Sequence, residues 1–123
     1  PPEWIVAISK KEGIKTGSII KVTNDPISAV QEADIVATDT FVSLGKDNEK
    51  IIRETVFIPK YQVNSELIKH AKDDVIFMHC LPAKRGQEVT SDVIDGNSSV
   101  VWKEAENRLH VQKALLCMLM RGN

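Results

Sequence analysis

The stretch Asp73-Asp74-Val75-Ile76-Phe77-Met78-His79-Cys80-Leu81-Pro82 constrains the fold most. Four apolar residues in a row behind an acidic pair predict a fully buried strand. Such strands belong to parallel sheets covered on both faces. The run stops at a His, a Cys and a Pro. Ligands of open α/β sheets bind at the carboxyl ends of the strands. This strand would therefore deliver a thiol and a rigid Leu-Pro turn to the edge where chemistry is found.

The rest of the chain supplies partners for that strand. Pro1-Pro2 can open a helix, and Glu3 to Lys11 reads as one, ended by Gly13. Ser18 to Thr23, with Ile19, Ile20 and Val22, predicts a strand. Asn24-Asp25-Pro26 reads as a helix start, with Ile27, Ala29, Val30 and Ala33 on its apolar side. Asp34 to Thr38 predicts a second buried strand, ending at Asp39. Thr40 to Asp47 lacks a helix period and reads as a binding loop. Glu49 to about Glu54 looks helical, and Pro59 predicts irregular backbone around Phe57 and Ile58. Asn64-Ser65-Glu66 begins a helix through Ala71, and Thr90 or Ser91 caps a short one over Asp92 to Ile94. Ser98 to Trp102 predicts a third strand, and a last helix runs from about Glu104 to Met120. This order predicts right-handed crossovers and a doubly wound, Rossmann-like α/β fold, a parallel sheet with helices on both faces.

The pattern looks incomplete at its N-terminus. The chain opens on a helix and without Met, so a longer parent is expected. The last helix carries seven apolar residues in succession, Ala114 to Met120. A helix covering one sheet face needs a single apolar stripe. A second surface, from a missing part of the same protein or from a partner chain, is expected on its other side.

Composition excludes several classes. A net charge of -1, with basic residues spread along the chain, argues against a nucleic-acid binder. No apolar run reaches the ~18 residues of a membrane span. Two cysteines, Cys80 and Cys117, form no disulfide framework, so a cytoplasmic location is the expectation. There is no GxGxxG, no P-loop and no zinc spacing, so no cofactor and no metal are expected.

Asp39 and Cys80 each end a buried strand and should share one edge of the sheet. Asp39 reads equally as a site residue or as a cap for the following turn. Cys80 taken alone reads as a small buried hydrophobe. His79 alternates with Cys80 and should point to the opposite face. Lys84 and Arg85 read as a solvated loop. Arg108, early in the last helix, suits an anion or a polarised carbonyl, but taken alone it reads first as the i,i+4 partner of Glu104.

Four segments add a further constraint: Asp39 to Gly45, Tyr61 to Asn64, His79 to Gly86, and Glu104 to Arg108. Together, and in this order, they resemble the ornithine-binding half of the ornithine carbamoyltransferase family, from about Gly13 to Met120. The resemblance implies that residues 1–123 are the ornithine-binding, C-terminal domain, and that the carbamoyl-phosphate domain is absent. It implies L-ornithine and carbamoyl phosphate as substrates and citrulline and phosphate as products. It assigns the ornithine head group to Asp39, Ser43 and the backbone near Leu44. It puts Cys80 and Asp39 beside the reacting amine, and the carbonyls of Cys80 and Leu81 against the carbamoyl amide, helped by a cis Leu81-Pro82 bond. Arg108 would polarise the carbamoyl oxygen, so Cys80, Asp39 and Arg108 are the expected catalytic residues. Leu44 stands where the family usually has Met, a swap of similar volume. The family also implies a homo-oligomer, a trimer or higher. Two readings compete: a carbamoyltransferase for another amine, such as putrescine, and a non-catalytic interaction domain of the same fold.

Overall fold

The computed structural model describes residues 1–42, 45 and 47–121. Its centre is a parallel pair of short strands, β1 (Ile35–Thr38) and β2 (Ile76–His79). Ile35 pairs with Ile76, Val36 with Phe77, Ala37 with Met78 and Thr38 with His79. The parallel pairing and the intervening helices give the α/β class expected.

The third predicted strand survives as one rung. Phe77 N–H donates to the Ser98 carbonyl at 2.8 Å, and Val100 N–H donates to the Phe77 carbonyl at 3.0 Å. The chain then turns into helix α6 (Val101–Met120), so Trp102 is helical rather than extended. Ser18 to Thr23 forms no strand. Its apolar residues meet no neighbouring ladder, and Ile19 is 93% exposed.

Two local signals were misleading. Helix α1 (Glu3–Thr16) runs through Gly13 and ends at Gly17, whose φ of 75° is the left-handed cap. Gly13 is needed for another reason. A Cβ there would lie 2.7 Å from the Ser18 carbonyl oxygen of the returning chain. Helix α3 (Lys50–Tyr61) likewise runs through Pro59, against the irregular backbone expected. The ring removes one N–H donor. The face carrying Phe57 and Tyr61 is packed, with the Phe41 ring 5.5 Å from Phe57 and Phe57 5.9 Å from Tyr61, both pairs tilted.

The polar helix signals were better guides. Asp25 caps α2 (Pro26–Val30) by accepting from Ile27 N–H at 3.2 Å. Asn64 caps α4 (Ser65–Ile68) by accepting from Leu67 N–H at 2.9 Å, although that helix stops before Ala71. Short helix α5 (Ser91–Ile94) follows Thr90.

The core gathers Val30, Val36, Val63, Phe77, Val89 and Val101 around the strand pair. The strands are not buried on both faces. Val36 and Phe77 are buried, while Ile35 is 54% exposed. Trp4, Ile8 and Ile14 of α1, and Leu115, Leu116, Met118, Leu119 and Met120 of α6, also face outward.

A candidate active site at the carboxyl edge of the sheet

Parallel strands in register finish side by side. Thr38 opposes His79, so the next residues, Asp39 and Cys80, meet just beyond the ladder. The Cys80 thiol donates to Asp39 Oδ1 at 3.3 Å. Cys80 is exposed there, which excludes the buried-hydrophobe reading. Asp39 Oδ1 also accepts from Thr40 N–H at 2.7 Å, so the carboxylate caps its own turn and faces the thiol.

The two groups perturb each other in opposite senses. The Asp39 pKa is lowered, first by the Thr40 N–H and then by the thiol. The Cys80 pKa is raised, first by its hydrogen bond to Asp39 and then by partial burial. A thiol holding its proton against a carboxylate is a poor nucleophile, because the thiolate is the reactive form. Asp39→Asn is expected to lower the Cys80 pKa and speed its alkylation by iodoacetamide at pH 8 by roughly three- to tenfold, about half to one pKa unit. Peptide mapping separates Cys80 from the exposed Cys117. An unchanged Cys80 rate would mean that the carboxylate does not hold the thiol proton.

His79 points the other way, as alternation requires. It is buried, and its Nε2 lies 3.1 Å from Glu88 Oε1. Its Nδ1 accepts the Leu81 N–H at 2.9 Å. An acceptor nitrogen carries no proton, so the ring proton sits on Nε2 and is donated to Glu88. Glu88 Oε1 also accepts from Lys84 N–H at 2.6 Å. A buried polar chain therefore runs from Glu88 through His79 to the Leu81 backbone. Leu81 is held at φ 56°, a left-handed conformation that Leu rarely adopts, and it precedes a cis bond to Pro82. Sequence reasoning missed Glu88. The inward-facing His signalled that a buried partner was needed, but not which residue supplied it.

Helix α6 completes the edge. Glu104 Oε2 accepts from His79 N–H at 3.0 Å and so ties the helix start to the end of β2. That commitment overturns the expected Glu104–Arg108 pair. Among the described residues Arg108 has no ion pair. It lines a cleft of about 550 Å³ with Cys80, Leu81, Pro82 and Trp102. The structure thus brings Cys80, Leu81 and Arg108 to one cleft, with Asp39 against the thiol at its rim. Ser43 and Leu44 lie outside the described residues. Arg85 is not a loose loop cation. It forks onto Asp95 at 2.8 and 2.7 Å.

No group of three or more His, Cys, Asp or Glu among the described residues could hold a metal ion. Among the described residues, no helix is long and apolar enough to cross a membrane. The arrangement offers an unpaired guanidinium, a carboxylate and a protonated thiol around an open cleft. Such a set can align a cationic amine and stabilise charge developing on a carbonyl oxygen.

Known proteins share this architecture. Residues 1–119 match the family model described as aspartate/ornithine carbamoyltransferase, Asp/Orn binding domain. An ornithine carbamoyltransferase from Clavibacter michiganensis is 54% identical over 98% of this chain and 39% of its own length. One from Pyrococcus abyssi is 48% identical over 99% of this chain and 38% of its own. The solved ornithine carbamoyltransferase of Pyrococcus furiosus superposes with a TM-score of 0.91 at 47% identity, covering 100% of this chain and 39% of that one. The chain thus spans less than two-fifths of the length of these relatives. With a family model covering nearly all of its residues, this chain belongs to the aspartate/ornithine carbamoyltransferases, in the part that forms their Asp/Orn-binding domain.

Proposed function

We propose that this chain is the ornithine-binding domain of an ornithine carbamoyltransferase and supplies the ornithine side of its site. The reaction moves a carbamoyl group from carbamoyl phosphate to the δ-amine of L-ornithine. The ammonium first loses a proton, and the amine nitrogen then attacks the carbamoyl carbon. The tetrahedral adduct collapses, phosphate leaves with the C–O electron pair, and the nitrogen loses a second proton to give citrulline. The observation that carries this reading is the meeting of Asp39 and Cys80 beside a cleft that Arg108 lines unpaired.

Each residue has a role in this scheme. Asp39 and Cys80 orient the amine, and Cys80 stays a thiol rather than becoming acylated. Ser43 and Leu44 hold the amino-acid head. The carbonyls of Cys80 and Leu81 orient the carbamoyl amide, and Arg108 takes the charge growing on its oxygen. The carbamoyl-phosphate domain is a separate unit. It, or a partner chain in a trimer or larger assembly, covers the exposed apolar faces of α1 and α6. A cytoplasmic location fits two unpaired cysteines.

The test is carbamoyl transfer by the complete polypeptide that contains these residues. Citrulline should form from ornithine and carbamoyl phosphate, with a rate rising with pH toward the amine pKa, near ~10 unperturbed. Cys80→Ser should lower turnover by roughly ten- to a hundredfold without abolishing it, as expected for a group that assists alignment. Norvaline should protect against melting and putrescine should not. Equal protection by both would argue against an amino-acid substrate.

A further inference from the structure

Strands of four residues hold their register only as far as Thr38 and His79. Asp39 and Cys80 lie one step past the last ladder pair. Something other than the sheet must keep a carboxylate and a thiol in contact there, because functional geometry has to be held to within about 0.5 Å.

Two neighbours on α3 reach the two segments concerned. Arg53 donates through Nε to Glu49 Oε2 at 2.7 Å and through Nη1 to the Phe41 carbonyl at 3.3 Å. Phe41 lies two residues past Asp39, and its ring packs, tilted by 36°, against Phe57 of the same helix. Glu54 reaches the other segment. Its Oε1 accepts from Gln87 Nε2 at 2.8 Å. Gln87 precedes Glu88, the carboxylate that holds His79 and Lys84. Gln62, the residue just past the end of α3, donates to the carbonyls of Gly86 and Gln87, both at 3.0 Å. One helix therefore grips the chain after β1 with one arm and the chain after β2 with the other.

We propose that Arg53 and Glu54 are positioning residues that set the contact between Asp39 and Cys80. Neither is hydrogen-bonded to the thiol or to the Asp39 carboxylate. Arg53 fixes the backbone that follows the carboxylate. Glu54 acts through Gln87 and Glu88 on the turn that carries the thiol. Only the functional importance of the contact rests on the proposed reaction; the bracket itself does not.

The experiment reads the Cys80 thiol by the pH profile of its alkylation in the complete polypeptide. Arg53→Ala and Glu54→Ala should each speed Cys80 alkylation at pH 8 by roughly two- to fivefold, about 0.3–0.7 pKa unit. Neither should exceed the rate of Asp39→Asn. Arg53→Lys and Glu54→Gln, which keep a donor and an acceptor, should stay within about twofold of the parent, with melting temperature followed alongside. A merely structural role would lower the melting temperature and leave the profile in place. If an alanine variant fails to fold, Arg53→Met keeps the aliphatic stem and Gln87→Ala cuts the other arm from its loop end. Folded variants with the parental profile would overturn the proposal. So would conservative variants that shift it as far as alanine does. A shifted profile in a protein that makes no citrulline would sink the proposed function and leave the bracket standing.

Discussion

Arg108→Ala in the complete polypeptide should reduce kcat for carbamoyl transfer by about 10²–10³-fold, roughly 3–4 kcal/mol of transition-state stabilisation. The size follows from the environment of the guanidinium. Glu104, its neighbour one turn earlier, is committed to the His79 N–H. Arg108 therefore faces the cleft without an internal counter-ion among the described residues. A charge held in reserve that way can answer an oxygen that becomes negative only during the reaction. Arg108→Lys should recover part of the loss, because an ammonium keeps the charge and loses the planar fork. Folding should be unaffected, since the side chain is exposed and bonds to nothing internal. Norvaline protection in a melting assay should likewise persist. A kcat within about threefold of the parent would remove Arg108 from the reaction.

Glu88→Ala should produce the largest loss of stability, about 3 kcal/mol. The carboxylate is fully buried and serves two donors, His79 Nε2–H and Lys84 N–H. Each buried donor left without a partner costs about 1–3 kcal/mol. The melting temperature should fall by roughly 12 °C, given about 4 °C per kcal/mol for a domain of this size. Glu88→Gln should cost much less, near 1 kcal/mol, because its amide oxygen can accept from both donors. Its amide nitrogen would occupy the place of Oε2, which has no partner. Equal losses in Ala and Gln would show that the charge, rather than the acceptor, holds the turn. Thermal unfolding followed by circular dichroism gives both numbers.

The geometry of the candidate site was legible where it is local to the strands. Ile35 to Asp39 and Val75 to Cys80 announce two strand ends, and parallel pairing then places their final side chains together. The caps at Asp25 and Asn64 were legible for the same reason, since a side chain that bonds two or three residues ahead leaves a short-range signature. What failed was non-local. Pro59 predicted irregular backbone, but α3 runs through it, and Phe57 on that helix packs against Phe41 from a distant loop. Ser18 to Thr23 looked like a strand, but no ladder lies beside it. His79 with Glu88, and Arg53 with Phe41, join residues nine and twelve apart through tertiary geometry that no period or spacing encodes.

The pairing of Thr38 with His79 also limits which insertions and deletions the chain can accept. Adding one residue inside either strand would rotate everything after it to the opposite side. The imidazole would then emerge where the thiol now stands, or the carboxylate would turn inward. Length change should therefore be confined to connecting segments, or arise as matched pairs in both strands, so that four-residue spacers act as a phase lock for side chains forty-one positions apart.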